Sequence, residues 1–97
     1  MSGGHFSYEQ YKISQIAEDV DQLIRNNGKD EKDEWGYTKH SHFTDETIEE
    51  FKKGLHYLRL AHIYAQRIDW LVSGDDGEDS FHRRLQAEID KLTNNPI

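Results

Sequence analysis

The stretch TDETIEEFKKGLHYLRLAHIYAQRIDWLVS, residues 44–73, decides the fold. Thr44 is an N-cap residue with Asp45 and Glu46 in the turn that follows, where the helix macrodipole favours negative charge. Gly74 is a stop, so the sequence predicts one helix over about 45–73. At about 100° per residue, Ile48, Phe51, Leu55, Leu58 and Ala65 share one face, while Gly54, Tyr57, Ala61, Tyr64, Ile68 and Val72 cover the adjoining one. That arc exceeds the roughly 100° stripe of a helix with a single buried side. The helix must therefore be covered from at least two directions.

Upstream, Ile13, Ile16, Ala17, Val20, Leu23 and Ile24 repeat at helical spacing and predict a helix over about 8–26. Ser7 with Gln10 three residues on reads as a capping box, and Phe6 against Tyr11 as a hydrophobic staple. Asn26-Asn27-Gly28 ends this helix. Residues 29–43 are charged and aperiodic and predict a loop, yet they contain Trp35, Tyr37, His40, His42 and Phe43. Some of those rings are expected to fold back over the helices. Downstream, acids at 76–79 open a third helix running to about 92, with Phe81, Leu85, Ile89 and Leu92 as a narrow seam. No strand period or internal repeat occurs. The expectation is one all-α domain spanning 1–97: a helical hairpin plus a third C-terminal helix, a small bundle whose core is completed by homo-oligomerisation.

The chain has 97 residues, 32% charged and 34% hydrophobic, enough for one core. It has no cysteine, which excludes disulfides and thiolate metal sites. No apolar run reaches the roughly 18 residues that span a bilayer. The start of the chain lacks the regions of a signal peptide, so the sequence predicts a cytoplasmic protein without membrane association. The net charge of -7 opposes general DNA binding, which needs a basic surface to displace counterions. Residues 1–50 carry all of it, with 12 acids against 5 bases, while 51–97 balance at 7 and 7. A locally basic face is thus compatible with an acidic chain.

Lys52, His56, Arg59, Ile63, Arg67 and Trp70 follow at helical spacing and form a line opposite the main core face. Cations beside an indole suit a phosphate with an attached flat ring. The same line also suits a solvated face or the polar edge of a subunit contact. Tyr8 can add a second ring. His62 and Asp69 share the apolar face and form one part of a general base, but no nucleophile accompanies them; Asp69 alternatively pairs with an arginine of helix three. The acidic turn at 75–79 is explained by its helix start without a metal, His40 and His42 have no third ligand, and Glu46, Glu49 and Glu50 lack the second carboxylate pair of a nucleotide pyrophosphohydrolase. No catalytic residue, metal ligand or cofactor is assigned.

Leu58, Ala61, Ile63, Tyr64, Ala65 and Arg67 follow a pattern that resembles the second hairpin helix of small phage proteins that sequester cyclic-nucleotide messengers of anti-phage defence. The resemblance covers about ten residues, and Asp69-Trp70-Leu71 continue here into a turn and a third helix that the family lacks. It implies a non-enzymatic oligomeric protein, with Arg67 as a site residue. The leading expectation is accordingly capture of a small anionic ligand such as a cyclic nucleotide by Lys52, His56, Arg59, Arg67, Trp70 and Tyr8. The alternative is an acidic inhibitor of a host protein, a nucleic-acid mimic working through residues 30–50, with Trp35, Tyr37, Glu46, Glu49 and Glu50 as anchors. A metal-dependent nucleotide hydrolase ranks third.

Overall fold

The computed structural model describes residues 4–29, 34–36 and 42–94. It is all-α, with α1 (Gln10–Asn26), α2 (Asp45–Val72) and α3 (Glu78–Asn94) and no strand among the described residues. No helix there is long and apolar enough to cross a membrane.

Local chemistry sets the ends of α2. The Thr44 hydroxyl accepts the Thr47 N–H at 3.3 Å, satisfying one of the amides a helix start leaves open. At the other end Gly74 sits at φ +85°, the Asp75 N–H donates to the Trp70 carbonyl at 2.9 Å, and the Gly74 N–H donates to that of Leu71 at 3.2 Å. This is a Schellman pair, which needs the left-handed residue that glycine supplies. We expect Thr44→Ala to cost about 1 kcal/mol in a denaturant titration, the usual loss of an N-cap.

The start of α1 differs from the sequence expectation. The helix begins at Gln10, its N-cap Glu9 makes no side-chain cap bond, and Ser7 and Tyr8 take φ of +53° and +60°. There is no capping box, because Gln10 and the nearby amides are drawn instead to Asp69 on α2. The His5 N–H donates to Asp69 Oδ1 at 2.8 Å and the Phe6 N–H to the same oxygen at 3.2 Å. Gln10 Nε2 donates to Asp69 Oδ2 at 3.0 Å and to Gln66 Oε1 at 2.8 Å. A buried carboxylate with several donors outweighs a solvent-exposed cap, and the chain accepts two left-handed residues to reach it.

α1 runs antiparallel to α2. Asn27 pins the loop end of the hairpin, accepting the Phe43 N–H at 2.8 Å and donating to the Phe43 carbonyl at 3.1 Å. Of the loop rings, Phe43 packs edge-on against Phe51, with centroids 5.4 Å apart, whereas Trp35 is 73% exposed. Tyr37 and His40 lie outside the described residues.

α3 packs on another flank of α2, and α1 and α3 do not pack on each other. The result measures 55 × 27 × 15 Å. Because a helix with its side chains is about 10–12 Å across, the shortest dimension is a single layer of helices. Burial is correspondingly sparse: Ala17, Ile48 and Leu55 are the buried apolar residues, beside the buried polar Gln10, Asp21, Arg67 and Asp69.

Candidate functional site

The 52–70 line does not face outward along its whole length. α3 must cover its own seam of Phe81, Leu85, Ile89 and Leu92, and it does so over the second half of the line. Arg67 is therefore buried: its Nε lies 3.0 Å from Glu88 Oε2 and its Nη1 3.8 Å from Asp76 Oδ2. Its guanidinium also lies 4.2 Å over the Trp70 ring, in cation–π range. Asp76 in turn meets Arg84 at 3.5 Å. The indole and cation of the sequence reading are together, but two carboxylates of the α2–α3 corner share them.

The first half of the line stays more open. Lys52 Nζ pairs with Glu49 at 3.3 Å, and the His56 ring stands edge-on to Tyr57 at 5.9 Å. Arg59 reaches back across the hairpin to the buried Asp21, at 3.6 Å, a carboxylate that Arg25 also holds at 2.9 Å. At 3.6 Å Arg59 makes an ion pair and no hydrogen bond, which leaves its fork of five N–H donors free to turn toward another acceptor. Tyr8 is exposed and stacks on Tyr11 at 6.3 Å, far along α1 from Lys52. Glu46, Glu49 and Glu50 are exposed on the opening turns of α2, with Glu50 paired to Lys53 at 3.1 Å.

Arg59 also forms one wall of a groove of about 230 Å³ between α1 and α3, with Ser14 and Glu18 on the α1 side, Leu92 on the α3 side, and His62 and Ile63 between. His62 Nε2 is buried, with no hydrogen-bond partner among the described residues. A buried ring nitrogen left open costs about 1–3 kcal/mol unless something meets it. The groove continues along α3 past Lys91 and Glu88.

His62 and Asp69 do not act as a pair. The His62 ring lies 6.2 Å from that of Tyr11, while both Asp69 oxygens are committed to His5, Phe6 and Gln10. Nor does Asp69 meet an arginine of α3; Asp76 holds that position, through Arg84. Among the described residues no group of three or more His, Asp or Glu is arranged to hold a metal ion.

Asp21 and Glu88 carry much of this arrangement and were not singled out from sequence, and Gln10 was read there only as part of a capping box. Asp21 follows the buried Ala17 by four residues, so an acid on the apolar stripe was visible; its partner, 38 positions away on α2, was not. The chain matches no protein-family model, no characterised protein and no solved structure compared with it.

Proposed function

We propose that the chain is a non-enzymatic binding protein that works as a homo-oligomer and sequesters a small anionic ligand, a cyclic nucleotide above all, in the groove between α1 and α3. The observation that carries this reading is the meeting of Arg59 and His62 in one groove. A guanidinium offers parallel donors to a phosphate, and an imidazole N–H adds another. Ile63 and Leu92 supply apolar contact for a flat ring, while Glu18 on the α1 wall accepts from a ribose hydroxyl or a base amino group. That mixture suits a nucleotide better than inorganic phosphate. Relative to the sequence reading, the anion moves from Arg67, whose charge is shared by Glu88 and Asp76, to Arg59. The resemblance of residues 58–67 to phage proteins that sequester cyclic-nucleotide messengers supports the same class of ligand.

Calorimetry against a panel of cyclic di- and trinucleotides tests it. Binding by the wild type and at least about tenfold weaker binding by Arg59→Gln, or roughly 1.4 kcal/mol, is the expected result. No heat with any member of the panel removes the reading.

The acidic-inhibitor reading keeps one observation in its favour, the 73% exposure of Trp35 beside exposed Glu34. An aromatic of that exposure is an anchor type at protein interfaces. Retention of a basic protein from lysate that is lost in high salt and on Trp35→Ala supports it, and retention indifferent to both excludes it.

A further inference from the structure

The apolar side chains left uncovered by the hairpin gather on one side. On α2, Gly54, Ala61, Ala65, Ile68 and Val72 lie roughly 140–180° around the helix from Ile63, which faces α3. On α1, Ile16 and Leu23 are about half exposed, and Val20 and Leu23 meet Gly54 and Leu58 across a shallow apolar trough of about 220 Å³. Tyr57 and Tyr64 flank the row, the former 66% exposed. The accessible surface of 6970 Å² exceeds the about 5,800 Å² expected of a compact monomer of this size.

We propose that this face is the contact between two copies of the chain, related by a two-fold axis that passes beside Ala61. This deepens the homo-oligomeric part of the reading above and does not depend on the ligand. The pattern is complementary to itself. An antiparallel second α2 centred on Ala61 sets Ile68 of each copy over Gly54 of the other and Tyr57 over Ala65. Large side chains thus face small ones on both sides of the axis, as a two-fold contact requires.

The other helix gives the same centre independently. The α1 stripe Ile13, Ile16, Val20, Leu23 is symmetric about residue 18, so that Ile16 faces Val20 and Ile13 faces Leu23 across an axis there. Residue 18 lies level with residue 61, because Asp21 meets Arg59 and Gln10 meets Asp69 along the hairpin. One axis therefore serves both helices, and the product is a two-layer, four-helix core.

The area suffices. The row that the axis pairs with itself, 54 to 68, is about 21 Å long, and two helices packed side by side present a width of about 20 Å, or roughly 400 Å² of flat footprint per copy. Side-chain relief adds to this and brings the pair to about 1,000 Å², the size at which a specific contact separates from a chance one. An unrelated partner would need to reproduce both centred patterns, whereas a second copy carries them already.

The chain has no cysteine, so single cysteines report the contact directly. Ala61→Cys is expected to give a disulfide-linked dimer under mild oxidation, while Gln86→Cys, on the solvent side of α3, is expected to stay monomeric on a denaturing gel. Sedimentation equilibrium of the wild type should give twice the mass of one chain. Ala61→Arg should raise the dimer Kd by about thirtyfold or more, the effect of a substitution at an interface hot spot. A wild type that sediments as a monomer, or cross-linking no greater at 61 than at 86, overturns the proposal. Nucleotide calorimetry on Ala61→Arg, at concentrations where it is monomeric, reports on the groove separately, so failure of the contact and failure of the ligand reading are told apart.

Discussion

Asp69→Ala is expected to unfold the protein at a temperature lower by roughly 12–24 °C, a loss of about 3 kcal/mol in a chain of this length. The Asp69 side chain has no solvent exposure and takes its hydrogen bonds from the amides of His5 and Phe6 and from Gln10. Truncation leaves the part-buried His5 and Phe6 amides without this acceptor and Gln10 Nε2 with Gln66 alone, and each lost acceptor carries its own cost. It also leaves the left-handed pair Ser7 and Tyr8 without the contact that offsets their strain, so the segment 4–9 should detach first. Fast exchange of the His5 and Phe6 amides, together with early proteolytic cleavage near Tyr8, is the expected local signature. Asp69→Asn keeps one acceptor oxygen and should lose only about 1–2 kcal/mol. Equal loss in both variants would mean that the negative charge, rather than the bonds it accepts, fastens the N-terminal segment.

Signals complete within a few residues were readable from sequence; those completed by a partner on another helix were not. Thr44 with its own first turn, and Gly74 with the carbonyls just before it, fixed α2 to within a residue of its observed end. The start of α1 failed the same kind of reading because Ser7 and Gln10 satisfy a local rule that Asp69, some sixty residues away, overrides. Asp21 and Asp69 occupy apolar-stripe positions, which marks a buried acid without saying what answers it. The 52–70 line was legible as a line. Which half of it α3 covers depends on where the seam of Phe81, Leu85, Ile89 and Leu92 comes to rest, and that is a matter of tertiary packing.

Arg67→Leu is the other large expectation, about 2–3 kcal/mol after solvent screening of the half-exposed Glu88, concentrated in α3. The Arg67 side chain is 9% exposed, and that of Asp76 only 2%. Removing the cation leaves Glu88 without its 3.0 Å partner and Asp76 with Arg84 alone. The buried Asp76 is then answered by Arg84 alone, at 3.5 Å, while the 42% exposed Glu88 turns to water, so α3 should release from α2 while the α1–α2 hairpin persists. The expected readout is loss of amide protection across 78–94 with protection retained in α2, and a red shift of Trp70 fluorescence as the guanidinium leaves the ring. Arg67→Lys should recover little, since an ammonium cannot span two carboxylates and cover an indole as a planar guanidinium does. Arg67→Met combined with Glu88→Met should restore most of the protection, because an apolar pair of similar volume avoids the charge burial. That double variant also separates the two roles open to Arg67. With α3 docked again, retained nucleotide binding makes Arg67 a strut of the α2–α3 corner. Binding lost while Arg59 is intact would return the anion to Arg67.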